Sequence, residues 1–146
     1  MKASDAMTFG VATVRPDAPL TSAIRMMIEH KISALPVVDD GGLVRGIISE
    51  SDFFHKGHGA IDVPTLLSLP LKERLNVVAM RKVSDIMTSA NFTINPDSSV
   101  QDVAAVMIDR DLRHLPVVDD GHAIGVISRI DVLSLLLDEL GHHGTR

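Results

Sequence analysis

Cysteine is absent from the 146-residue chain, which excludes disulfides, thiolate nucleophiles and Cys-ligated zinc or iron–sulfur centres and fits a reducing compartment. Tryptophan and tyrosine are absent too, and phenylalanine occurs only four times. Sequence-specific recognition of RNA or single strands needs aromatic stacking platforms, so this scarcity argues against it. An excess of positive charge is also missing. Fourteen Lys+Arg against 19 Asp+Glu leave −5, the wrong sign for a general binder of phosphate backbones. Any anionic ligand must be met by a local cluster of donors. No apolar run approaches the roughly 20 residues of a membrane span, and Met1–Met7 lacks the apolar stretch of a signal peptide. The expectation is a cytoplasmic protein with neither membrane nor nucleic-acid partners, long enough to bury a core without staples.

What is present, above all, is a repeat. Asp5-Ala6-Met7-Thr8 returns as Asp85-Ile86-Met87-Thr88, and Pro16-Asp17 as Pro96-Asp97. The run Leu35-Pro36-Val37-Val38-Asp39-Asp40-Gly41 returns unchanged as Leu115 to Gly121, all at an offset of 80. One deletion later the register resumes at 79, aligning Gly46-Ile47-Ile48-Ser49-Glu50-Ser51-Asp52 with Gly125-Val126-Ile127-Ser128-Arg129-Ile130-Asp131. Two copies are too few for a solenoid, so the halves are expected to pack about a pseudo-two-fold axis.

Each copy carries the same pattern. A short β-rich run (Val11 to Val14; Phe92 to Ile94) ends at Pro-Asp, and helical spacing follows: Leu20, Ile24, Met27, Ile28 and Val100, Val103, Met107, Ile108. Pro19 suits a first helical turn, and Ser98 with Gln101 forms a capping-box pattern. Two apolar runs joined through Asp-Gly then read as a β-hairpin, with Pro36 and Pro116 at a strand start. A second helix follows Ser49 or Ser128. The fold class is therefore α/β (α+β), with β-α-β-β-α written twice: residues 1–58, a connection over 59–82 with short helical pieces, residues 83–140, and a frayed tail over 141–146.

Chemistry concentrates in Gly-h-h-Ser-x-x-Asp, where h is apolar, at a strand-to-helix junction in both copies. One reading is structural: Ser at the N-cap and Asp one turn in, set favourably against the helix dipole. The other is functional. Amide donors at a helix N-terminus attract phosphate, and a carboxylate accepts two hydrogen bonds from the vicinal hydroxyls of a ribose. Together those two groups describe a nucleotide.

The Asp-h-Met-Thr opening, the Leu-Pro-Val-Val-Asp hairpin and the Gly-h-h-Ser-x-x-Asp ending, each present twice, resemble a tandem pair of cystathionine-β-synthase (CBS) domains, often called a Bateman module. That resemblance implies a regulatory module, not an enzyme, sensing AMP, ADP, ATP, S-adenosylmethionine or NAD(H) and relaying its state to an effector protein. It needs no cofactor beyond the adenine nucleotide as regulatory ligand. In such modules the Asp holds the ribose while adenine lies in an apolar slot. Carried over, one cleft pairs Asp131, Ser128, His114 and Leu115 with Thr8, Val11 and Ala12. The mirrored cleft pairs Asp52, Ser49, Ser51, Ala34 and Leu35 with Thr88 and Phe92. A homodimer formed helix to helix is implied both by the family and by the Leu133 to Leu140 stretch, richer in leucine than a solvated terminal helix requires.

The two clefts differ in charge. Arg113, His114 and Arg129 flank the second copy's motif where Ser33, Ala34 and Glu50 flank the first, so a phosphorylated ligand is expected at Asp131. The alternative for the arginines is a salt bridge to Asp109, Asp111 or Asp119. No catalytic arrangement stands out. Ser128, His114 and Asp131 lack a nucleophile elbow, and His55, His58, His142 and His143 lack metal-ligand partners at a convincing spacing. A structural adaptor with unoccupied clefts is the rival reading.

Overall fold

The computed structural model describes residues 1–10, 12–54, 62–89 and 92–144. Among the described residues, six α-helices and six strands follow one another as α1 (Ala3–Ala6), β1 (Thr8–Phe9), α2 (Leu20–His30), β2 (Ala34–Val38), β3 (Val44–Ser49), α3 (Val63–Ser68), α4 (Leu71–Met80), β4 (Thr88–Ser89), α5 (Val100–Asp109), β5 (His114–Asp119), β6 (His122–Ser128) and α6 (Arg129–Gly144). Turns of 3-10 helix cover Glu50–Phe54 and Val83–Asp85. This is a mixed helix and strand fold with two small antiparallel sheets.

The chain forms two compact units, and neither coincides with a sequence repeat. One consists of residues 1–11 and 92–146, the other of 12–91. The leading segment of each repeat is built into the body of the other. In the first unit β1 pairs antiparallel with β6, giving the order β1-β6-β5; in the second, β4 pairs with β3, giving β2-β3-β4. The exchange also completes helix starts. Val100 donates its N–H to the Met1 carbonyl at 3.0 Å, and Leu20 donates to that of Arg81 at 2.9 Å, so an otherwise orphaned first-turn donor is satisfied in each case.

The repeated glycine makes this pairing possible. A Cβ on Gly125 would lie 2.7 Å from the Thr8 carbonyl oxygen and 2.8 Å from Met7 Sδ; one on Gly46 would collide with the Thr88 carbonyl oxygen. Only a residue without a side chain lets a neighbouring backbone approach so closely.

Behind each sheet lies its own core. Leu35, Val37 and Ile48 pack with Leu20, Ala23 and Met27 of α2 in one unit; Leu115, Val117 and Ile127 pack with Val103 and Met107 of α5 in the other. The amphipathic periodicity of both helices is satisfied by this burial. In the connection, Asp62 caps α3 by accepting from Thr65 N at 2.8 Å, and Leu66, Val77 and Val78 join the core of unit 12–91.

Four local expectations change. The β-rich runs shrink to single parallel bridges, Val14 with Val37 and Ile94 with Val117, while strand pairing moves upstream to Thr8 and Thr88, where the glycines make room. Pro19 is the N-cap of α2, one residue before its first turn. Ser99, not Ser98, caps α5 by accepting from Asp102 N at 3.1 Å, because the helix begins at Val100 and Ser99 is the residue directly before it. Among the described residues the first copy's second helix is the 3-10 turn Glu50–Phe54, whereas in the second copy α6 runs from Arg129 to Gly144. The shift from 80 to 79 has a turn-level cause. Asp120 and Gly121 both have positive φ, as a two-residue primed hairpin turn requires, whereas the first hairpin closes one residue later through Asp39 N to the Leu43 carbonyl.

Asp85 titrates away from its ordinary range. The Lys82 backbone N–H donating at 2.9 Å holds its carboxyl below that range, helped by the Arg81 guanidinium and opposed by partial desolvation. A lowered folded-state pKa contributes stability that is present above the ordinary carboxylate value and is lost as pH falls through the folded one. Asp85→Asn should therefore flatten the acid limb of a stability–pH profile below the ordinary carboxylate range; an unchanged limb would contradict the assignment. Gly125→Ala should destabilise by about 1–3 kcal/mol in urea unfolding through overpacking against the Thr8 carbonyl, and an unchanged midpoint would remove the steric explanation.

Candidate functional site

Strand alternation decides which side chains meet at the repeated motif. Ser128 lies opposite His114, and Val126 is flanked by Pro116 and Thr8, so these residues share one sheet face while Leu115 and Ile127 point into the core. In the other unit Ser49 lies opposite Ala34, and Ile47 is flanked by Pro36 and Thr88. Leu35 and Leu115 are 0% and 1% exposed members of the two cores, so as slot residues they offer backbone only. Pro36, Ile47, Pro116 and Val126 occupy the relevant face instead. The sequence signal for them was the period of two counted from each serine.

At the end of β6 the chain turns into α6, and Asp131 folds back onto the turn. Its Oδ2 accepts from Ser128 N at 2.8 Å and from Ser128 Oγ at 2.8 Å, while Ser128 Oγ accepts from Asp131 N at 3.3 Å. This is a reciprocal cap. It uses one carboxylate oxygen; among the described residues no hydrogen bond is recorded to Oδ1. The structural and functional readings of this aspartate are therefore compatible, because a capping bond at Oδ2 leaves Oδ1 as an acceptor in a fixed position.

At the end of β3 the same backbone bond recurs, Ser49 N to Asp52 Oδ2 at 2.7 Å. Its surroundings differ. Ser49 Oγ is turned toward Ser51 Oγ at 2.8 Å and lies 3.4 Å from Asp52 Oδ2, and Thr88 Oγ1 approaches Asp52 Oδ1 at 3.5 Å. Ser49 and Asp52 are both buried, whereas Ser128 and Asp131 are half-buried.

The arginines separate as well. Arg129 donates through Nε to the Leu112 carbonyl at 2.9 Å, through Nη2 to the Met107 carbonyl at 3.4 Å, and through Nη2 to Asp111 Oδ1 at 3.2 Å. It closes the C-terminal end of α5, where a cation complements the negative end of the helix dipole. The structural alternative weighed for it is thus the observed one. Arg113 is exposed, and its carbonyl accepts from Arg129 N at 3.1 Å. In unit 12–91 the same backbone bond joins Glu50 N to Ser33 at 2.9 Å, so the 79 and 80 offsets coincide in space.

A family model describing the CBS domain matches twice, over residues 3–59 and 83–138. The chain belongs to the CBS domain family. This CBS pair is 34% identical over 142 residues to the MJ1426 protein of Methanocaldococcus jannaschii, a match covering 85% of this chain and 84% of that one. Among solved structures it resembles the CBS domain pair of MJ0100, in complex with 5′-methylthioadenosine and S-adenosyl-L-methionine, with a TM-score of 0.75, 25% identity and coverage of 95% of this chain and 98% of that one. It also resembles CBSX2 of Arabidopsis thaliana in complex with AMP, with a TM-score of 0.71, 26% identity and coverage of 94% and 97%.

Of the residues assigned to the Asp131 cleft, unit 1–11/92–146 contains Asp131, Ser128, Arg113, His114, Leu115, Arg129 and Thr8. Val11 lies outside the described residues, and Ala12 falls in the other unit. Of the Asp52 group, unit 12–91 contains Asp52, Ser49, Ser51, Ala34, Leu35 and Thr88, while Phe92 falls in the other unit under the Arg110 guanidinium, 4.3 Å from its ring centroid. His55, His58 and the side chains of His142 and His143 lie outside the described residues.

Arg129→Ala removes three acceptor contacts at the end of α5 and should cost about 1–2 kcal/mol in chemical unfolding, whereas Arg113→Ala should stay within about 0.5 kcal/mol of wild type. Equal effects of the two substitutions would contradict the division of labour.

Proposed function

We propose that this CBS pair is a regulatory module that binds an adenosine-type ligand at Asp131, and that it is not an enzyme. The observation that carries the reading is the carboxylate geometry: Oδ2 is fixed by the Ser128 amide and hydroxyl, so Oδ1 is held ready to accept from a ribose diol. The adenosine ligands of the MJ0100 pair and the AMP of CBSX2 support the ligand class. Thr8 and His114 flank the same strand, and exposed Arg113 is a cation beside the motif that can meet a phosphate.

Regulation requires a ligand to bind one arrangement of the protein better than another, since equal affinity shifts no population. A tenfold preference corresponds to about 1.4 kcal/mol, within the range of a single charge-assisted hydrogen bond. The output passes to an effector protein or through self-association in the cytoplasm. A homodimer is favoured by α6, whose Leu133, Leu136, Leu137 and Leu140 are all more than half exposed, beside a groove of about 390 Å³ lined by Val100, Ala104, Val132 and Leu135.

Thermal unfolding tests the function directly. AMP, ADP, ATP, S-adenosylmethionine or 5′-methylthioadenosine should raise Tm with the logarithm of concentration, reaching about 2.7 kcal/mol of stabilisation at 100 times Kd, and Asp131→Ala should abolish the shift while still unfolding cooperatively. No shift with any adenosine compound would contradict a sensing role; net consumption of the compound would contradict a non-enzymatic one.

A further inference from the structure

The two copies of Gly-h-h-Ser-x-x-Asp have the same backbone bond but differ in what surrounds the carboxylate. Ile130 stands where the first copy has Ser51. In the second copy the Ser128 hydroxyl therefore has no neighbouring hydroxyl at that position, and it donates to Asp131 Oδ2 at 2.8 Å. In the first copy the Ser49 hydroxyl is shared with Ser51 at 2.8 Å, which leaves it 3.4 Å from Asp52. The opposite oxygen of Asp52 is approached by Thr88 Oγ1, 36 residues further along the chain, and Asp52 is 6% exposed. Thr8 and its counterpart Thr88 are both exposed, but among the described residues only the Thr88 hydroxyl reaches its aspartate. The secondary structure diverges at the same place: a five-residue 3-10 turn carries Asp52, whereas a sixteen-residue α-helix carries Asp131. A buried carboxylate surrounded by internal donors is stabilised as an anion by those donors, and a ligand diol would have to displace them.

We propose that the duplicated carboxylates have divided two roles: Asp52, buried with Ser49 and approached by Ser51 and Thr88, is an internal hydrogen-bonding centre that ties β4 to the end of β3, and Asp131 alone takes a ligand, so that each chain holds one adenosine-type molecule. The inference rests on the reading of Asp131 given above and adds the stoichiometry and the closure of the second position. Ser51 is the residue that distinguishes the copies, because it is the hydroxyl that draws Ser49 away from its aspartate. Charge points the same way: Glu50 lies within the first motif, and exposed Arg113 stands beside the second, its carbonyl bonded to Arg129 N.

Isothermal titration of the full chain with AMP and, separately, with S-adenosylmethionine tests this. Wild type should bind one molecule per chain of whichever compound binds. Asp131→Asn should weaken binding at least about tenfold, the equivalent of one charge-assisted hydrogen bond, with little change in Tm. Asp52→Asn should lower Tm while leaving the stoichiometry at one and Kd within about twofold. Two molecules per chain in wild type, a measurement that needs no variant, would overturn the division while leaving adenosine binding intact. Loss of binding in Asp52→Asn, with cooperative unfolding preserved, would overturn it equally. Absence of binding by either compound would overturn both the division and the reading beneath it.

Discussion

The close crossing of a threonine carbonyl over a glycine is the constraint on which the rest of each unit depends. Thr8 crosses Gly125 and Thr88 crosses Gly46 at separations that leave no space for a methyl group. Because each threonine comes from the other repeat, the exchange of leading segments, the third strand of each sheet and the capped starts of α2 and α5 follow from the same contact. Three residues beyond each glycine, the serine amide captures the aspartate carboxylate at 2.7 or 2.8 Å. One short segment therefore fixes both the body of the unit and the position of its acid.

On the proposed reading, that economy lets an aspartate at a helix start serve structure and recognition together. A carboxylate has two oxygens and about four lone-pair directions. Spending one oxygen on the helix cap costs the site nothing and removes the freedom that a ligand would otherwise have to freeze. Where extra hydroxyls approach the acid, as Ser51 and Thr88 do at Asp52, the proposed balance moves toward structure; where a cap leaves one oxygen over, as at Asp131, it moves toward binding.

Much of this was legible in the sequence because duplication marks its own register. The seven-residue identity from Leu35 and Leu115 located both hairpins, the 80-to-79 shift located the turn that differs, and the twin motifs located both acids. What was not legible depends on contacts between distant segments. Strand pairing at Thr8 and Thr88 lies upstream of the β-branched runs because backbone proximity, not propensity, decides it. Leu35 and Leu115 were assigned to a ligand slot, yet alternation from Ser49 and Ser128 turns them into the cores. Arg129 lies within the motif, which makes it a phosphate candidate in sequence, but its guanidinium donates to carbonyls at the end of α5.

The central claim, that a carboxylate already committed to its own helix also grips a sugar diol, is tested most directly by a crystal structure of the chain grown with AMP. The account predicts ribose hydroxyls within hydrogen-bonding distance of Asp131 Oδ1 while Oδ2 keeps the Ser128 amide. Nucleotide density away from Asp131, or an Asp131 side chain that must abandon Ser128 to reach the sugar, would contradict it.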